Sequence, residues 1–149
     1  MTACRTASPE ETLELGRKLG SSLRGGETLV LRGSLGAGKT QLTKGIALGL
    51  DIRTLVTSPT FTIQNVYDGR LRLYHFDMYR ICDPLELEEI GYYDAVDDPA
   101  GVCVIEWAEN IPGELPGKIL LVEIRGRDRV REITVREADA RTVDWSSPL

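Results

Sequence analysis

The stretch Gly33-Ser34-Leu35-Gly36-Ala37-Gly38-Lys39-Thr40 constrains this chain more than any other. It matches G-x-x-x-x-G-K-[ST] without a gap, the pattern of a phosphate-binding loop. Each element of the pattern has a physical task. The glycines permit backbone angles that aim successive N–H groups at phosphate oxygens. A helix opening at Lys39 adds the positive end of its dipole. Lys39 is expected to reach the β- and γ-phosphates, and the Thr40 hydroxyl to bind Mg2+. Gln41, next on the same turn, joins the candidate nucleotide-binding set. The surroundings fit: an apolar strand, Thr28 to Leu31, precedes the loop, and a helix from about Lys39 to Leu48 follows, ending near Gly49. A guanine-reading N-K-x-D motif is absent from the chain, which favours ATP over GTP.

The rest of the chain supplies the frame. Ser8 reads as an N-cap, Pro9 as a first-turn residue and Glu11 as the partner in a capping box. Leu13, Leu15, Leu19 and Leu23 give a loose apolar stripe, and Gly25-Gly26 stops that helix. Leu55 to Tyr67 has a strand-like pattern broken by Pro59, Asp68-Gly69 is a hairpin turn, and Arg70 to Tyr79 returns as a strand. Asp83-Pro84 starts a short acidic helix, Leu85 to Ile90. Val102 to Ile105 is a fully apolar strand ending at Glu106-Trp107, and Pro112 to Pro116 is a loop. Ile119 to Ile124 and Val130 to Val135 form a hairpin around Gly126. The tail from Thr142 is frayed or loosely docked. Early alternation of strands and helices, followed by hairpins, predicts an α/β fold: one P-loop NTPase-like domain over residues 1–149, a three-layer mixed β-sheet flanked by helices.

Composition narrows the partners. Net charge is −5, unlike a protein that grips nucleic acid alone. The arginines between Arg125 and Arg136 are interleaved with Glu123, Asp128, Glu132 and Glu137. The longest apolar runs, glycine included, are five or six residues, far short of the roughly 20 a membrane helix needs. Three cysteines, Cys4, Cys82 and Cys103, stand far apart with no C-x-x-C pair. That argues for structural thiols in a reducing, cytoplasmic setting. The first ten residues lack the apolar region of a secretion signal.

A phosphate loop needs an acid near a neighbouring strand end to hold magnesium or its water shell. Glu106, after Val102-Cys103-Val104-Ile105, and Asp77, near the end of Leu73-Tyr74-His75-Phe76, are the two candidates. Thr60, in Thr57-Ser58-Pro59-Thr60, lies where nucleotide switches place a γ-phosphate sensor. The candidate catalytic residues are therefore Lys39, Asp77 and Glu106, with Thr60 joining them only if its segment is more than a turn, and the candidate metal ligands are Thr40, Glu106 and Asp77.

Taken in order, GSLGAGKT, SPTFT, YHFDMYR, GYYD and IEW resemble the TsaE (YjeE) family, the bacterial ATPases of tRNA threonylcarbamoyladenosine biosynthesis. The likeness runs from about Ser8 to Arg136. It implies that Ser58-Pro59-Thr60 is a switch-like loop, that Asp77 is the essential aspartate, and that Glu106 is the magnesium-linked glutamate with Trp107 beside it. It also implies that Arg131 approaches the nucleotide and that residues near Pro9 lie against the adenine. His75 would orient Asp77 or the switch. TsaB and TsaD are the implied partners, with tRNA met through their complex. One position departs from the family pattern: G-D-L-G-A-G-K-T has an acid where this chain has Ser34, with the side chain expected to point away from the phosphates. Two other readings stand beside this one: a small-molecule kinase with Asp77 as base, and a nucleotide-gated assembly factor with little turnover.

Overall fold

The computed structural model describes residues 2–34, 36–147 and 149, and of Arg127 the backbone alone. Leu35, counted in the phosphate loop, lies outside the described residues. Seven strands and four α-helices follow in the order β1 (Thr2–Thr6), α1 (Pro9–Ser22), β2 (Thr28–Arg32), α2 (Lys39–Gly49), β3 (Gln64–Tyr67), β4 (Arg72–Asp77), α3 (Leu85–Glu89), α4 (Tyr92–Val96), β5 (Gly101–Glu106), β6 (Lys118–Arg127) and β7 (Val130–Asp139). They build one sheet, β1-β7-β6-β2-β5-β4-β3. Its centre, β6-β2-β5-β4, is parallel, and antiparallel pairs close both sides. This is the expected mixed α/β sheet.

Strand alternation divides the core into two layers. Leu29 and Leu31 of β2 and Val102 and Val104 of β5 pack with Leu42 and Ile46 of α2. Val30, Cys103 and Ile105 face the other way, onto Leu87 of α3, Tyr92 of α4 and Phe76. Phe76 and Tyr92 meet edge to face at 5.4 Å, a favoured aromatic geometry. Burial there pushes the Cys103 thiol up to about 12, as a structural core thiol requires. No described cysteine is paired.

α1 starts as its sequence dictates. The Ser8 side chain accepts the Glu11 N–H at 3.2 Å, while the Glu11 carboxylate takes the Ala7 N–H at 2.6 Å. One expectation about this helix fails. It ends at Ser22, with Leu23 extended, before Gly25-Gly26; the glycines instead turn the chain into β2 at positive φ. Thr12, Gly16 and Gly20 form its most buried line, while Leu23 joins the core and Leu15 and Leu19 pack against it, as the apolar stripe predicts. The glycines are buried by a glycine-to-glycine crossing with α2. A Cβ on Gly16 would stand 2.9 Å from the Gly45 Cα, and one on Gly45 2.9 Å from the Gly16 Cα. The helices touch through their backbones. Gly45→Val is therefore expected to lower stability by roughly 1–3 kcal/mol through overpacking, read as a fall in the urea midpoint.

Further corrections follow along the chain. Residues 55–63 form a loop, not a strand: Pro59 lacks the ladder donor, Leu55 and Phe61 are exposed, and Ile63 adopts φ 67°. The second hairpin turns at Asp128-Arg129 rather than at Gly126, which stays in β6 opposite Arg131. β1 and α4 have no counterpart among the sequence-based expectations. Trp145 and Ser147 of the tail are docked: Trp145 Nε1–H donates to Ala140 O at 3.0 Å, and Arg32 donates to Ser147 O at 2.6 Å. Among the described residues no helix is long and apolar enough to cross a membrane.

Candidate functional site

Three parallel strands bring the site together at their C-terminal ends, where open α/β sheets bind ligands. Leu31 of β2 pairs in register with Glu106 of β5, and Glu106 with Asp77 of β4. The row Leu31–Glu106–Asp77 thus stands beside the phosphate loop, which leaves β2 one residue beyond Arg32. Only β5 flanks the loop strand on this side. Asp77 reaches the same cleft from one strand further out because it shares Glu106's register.

The loop has the backbone its sequence requires. Gly36 and Gly38 adopt φ 81° and 105°, a region L side chains rarely enter. A Cβ on Gly33 would come within 2.8 Å of the Ile124 carbonyl. Ala37 N–H donates to Ser34 O at 3.0 Å. α2 then starts at Lys39, with the Thr43 hydroxyl bonded to the Lys39 carbonyl at 2.9 Å. The Lys39 ammonium donates to Gly33 O at 2.9 Å, lies 3.9 Å from Glu106 Oε1, and sits 5.2 Å from the centre of the Trp107 ring. Trp107 adopts φ 59°, a sparsely populated conformation for a large side chain; it turns the chain at the end of β5 and lays the indole beside Lys39 and Tyr79.

Both carboxylates are buried and separately held. Asp77 Oδ1 accepts the Tyr79 N–H at 2.9 Å, and Oδ2 the Thr60 hydroxyl at 3.3 Å. Thr60 in turn bonds Ser58 at 2.7 Å. Glu106 Oε2 bonds His75 Nε2 at 2.7 Å. His75 therefore contacts Glu106, not Asp77 or the Ser58–Thr60 loop as expected. Asn110 was not foreseen: its amide donates to the Met78 and Tyr79 carbonyls at 2.9 and 3.1 Å, tying down the chain just after Asp77. No sequence pattern marks such a contact.

Two clefts meet at Gly38 and Gln41. One, of about 340 Å³, is lined by Lys39, Thr40, Thr60, Asp77, Glu106 and Trp107 among others. The second, of about 370 Å³, runs between the start of α1 and the β6–β7 turn, past Pro9, Asp128, Arg129 and Arg131. Gln41 joins its walls, donating to Pro9 O at 3.1 Å. Arg131 reaches the loop itself, 3.3 Å from Gly36 O. Asp128 and Arg129, also absent from the sequence-based set, line the cleft because the hairpin turns there.

The profile of the family described as "Threonylcarbamoyl adenosine biosynthesis protein TsaE" matches residues 6–134. The chain belongs to the TsaE family. It is 45% identical over 133 residues to the tRNA threonylcarbamoyladenosine biosynthesis protein TsaE of Treponema pallidum, covering 89% of this chain and 98% of that protein. The Bacillus subtilis protein of that name is 47% identical over 132 residues, covering 87% and 82%. Among solved structures, a crystal structure of Bacillus subtilis YdiB superposes with a TM-score of 0.76 at 40% identity, covering 93% of this chain and 85% of that one. The architecture of this TsaE-family chain is the P-loop NTPase-like fold.

The donor chemistry of the site fits magnesium brought with a nucleotide. Thr40, Asp77 and Glu106 offer hard oxygens to one cleft, and magnesium binds through one or two carboxylates plus phosphates rather than an all-protein cage. Ser34, where the family pattern has an acid, borders a different cleft with Arg32, Glu109 and Trp145, away from Lys39 and Thr40.

Proposed function

We propose that this chain is a magnesium-dependent P-loop ATPase of tRNA threonylcarbamoyladenosine biosynthesis, acting in the cytoplasm on a complex of TsaB and TsaD. The observation that carries the reading is the convergence of Lys39, Thr40, Thr60, Asp77 and Glu106 on one cleft at the mouth of the Gly33–Thr40 loop.

The loop amides and Lys39 hold the triphosphate and neutralise the charge that grows during phosphoryl transfer. To do so, Lys39 leaves Gly33 O for the phosphates. Thr40, Asp77 and Glu106 would hold magnesium, directly or through water. When bound, that ion neutralises the β- and γ-oxygens. Asp77, fixed by the Tyr79 N–H, helps place the metal or the attacking water. Thr60 exchanges its contact with Asp77 for the γ-phosphate side of the cleft, which makes Ser58–Thr60 a nucleotide-sensing loop. Pro9 and Gln41, which line the second cleft, would lie against the adenine, with Arg131 beside the loop. Catalysis is positioning and electrostatics, with no covalent intermediate. The acidic net charge suits a protein that meets tRNA through partners, and the ATP cycle would reset the TsaB–TsaD complex between rounds of modification.

The test is retention of this chain on immobilised TsaB–TsaD with ATP, with ADP or with neither. The reading expects retention to depend on the nucleotide. No retention in any of the three conditions overturns the partner assignment.

A further inference from the structure

His75 is fully buried in the middle of β4. It lies on the same strand face as Leu73 and Asp77, two residues away on either side. Leu73 and the register neighbour of His75, Val104, belong to the apolar layer under α2. A polar ring there needs a reason, since an unpaired buried polar group is costly. Among the described residues the ring makes one hydrogen bond, from Nε2 to Glu106 Oε2 at 2.7 Å, and Nδ1 has no partner. The tautomer with its proton on Nε2 fits this: it leaves a lone pair dry rather than an N–H.

The consequence lies on the other oxygen of Glu106. With Oε2 held by His75, Oε1 stands 3.9 Å from the Lys39 ammonium. A direct ammonium–carboxylate hydrogen bond would be about 2.7–2.9 Å. Glu106 is thus kept near the lysine but short of full contact, and the ammonium spends its hydrogen bond on Gly33 O at 2.9 Å. A backbone carbonyl is a weaker competitor than a carboxylate, so the lysine is more easily recruited by phosphate.

We propose that His75 is a positioning residue that tethers Glu106 away from Lys39 and so keeps the P-loop lysine available to the nucleotide. The inference rests on the reading of the loop as an ATP site. Freed of the tether, Glu106 closes onto Lys39 and competes with the incoming phosphates. The penalty belongs to the Glu106 charge, so neutralising Glu106 removes it.

The experiment is ATP titration by calorimetry in magnesium-free buffer, where the metal roles of the carboxylates do not enter. The proteins are the unsubstituted chain, His75→Ala, His75→Gln, Glu106→Gln and the double variant His75→Ala/Glu106→Gln. His75→Ala is expected to weaken ATP binding about tenfold, the loss that corresponds to about one charge-assisted hydrogen bond. His75→Gln, whose amide can donate to Glu106 Oε2, is expected to bind ATP nearly as the unsubstituted chain does. The double variant is expected to match Glu106→Gln alone. If His75→Ala unfolds, His75→Met fills the volume without a donor and takes its place. A variant lacking the donor that binds as tightly as the unsubstituted chain, or an equal loss in the Glu106→Gln background, overturns the tether alone. Absence of ATP binding by the unsubstituted chain in this buffer overturns the tether, and its absence with magnesium added overturns the nucleotide site as well.

Discussion

Lys39→Ala is expected to abolish ATP binding, weakening it by at least roughly a hundredfold, because charge-assisted hydrogen bonds are worth about 1.5–3 kcal/mol each and about 1.4 kcal/mol is tenfold. Two effects add. The triphosphate loses a buried cationic partner in the cleft, and Glu106, now without Lys39 at 3.9 Å, faces the phosphates uncompensated. The fold should survive, since the lysine stem lies at the cleft wall and, among the described residues, its ammonium hydrogen-bonds Gly33 O alone. Calorimetric titration with ATP, beside a thermal melt, checks both halves. Unchanged affinity in a folded variant would show that phosphate does not sit on this loop.

Removing a carboxylate should act on turnover instead. Glu106→Ala and Asp77→Asn are each expected to lower ATP hydrolysis by roughly a hundredfold, the scale of one lost electrostatic group in a preorganised site. ATP binding should fall far less, because neither side chain is needed to neutralise the triphosphate. Asp77→Asn keeps an oxygen for the Tyr79 N–H, so its loss of rate reports charge rather than geometry. Glu106→Ala also strands the buried His75 Nε2–H, which should cost about 1–3 kcal/mol of stability and be visible as a lower melting temperature. Full hydrolysis by the Glu106 variant would remove that residue from the metal site.

Much of this site was legible in the sequence because its parts are local. The loop carries its own glycines, lysine and threonine, and Glu106 and Asp77 close recognisable apolar strands. What brings them together is not local. The register Leu31–Glu106–Asp77 depends on strand order, and Asp77 lies one strand further from the loop than a flanking position. The partner of His75 was missed for the same reason, since the hydrogen bond to Glu106 crosses two strands 31 residues apart in the chain. The Gly16 and Gly20 face of α1 went unread because hydrophobic periodicity cannot register a contact between two backbones. β1 went unread because an edge strand of alternating exposure carries little apolar signal, although it pairs with β7 as far as Arg131. Pro59 weakened the strand expected over Leu55 to Tyr67, and the loop it leaves is what sets Thr60 against Asp77.

The most direct test is Mg2+-dependent ATP hydrolysis by the purified chain, measured alone and with TsaB–TsaD. The proposed function predicts slow turnover that needs magnesium, changes when the complex is added, and disappears in Lys39→Ala. Turnover that persists in Lys39→Ala, or that neither magnesium nor TsaB–TsaD alters, would contradict it.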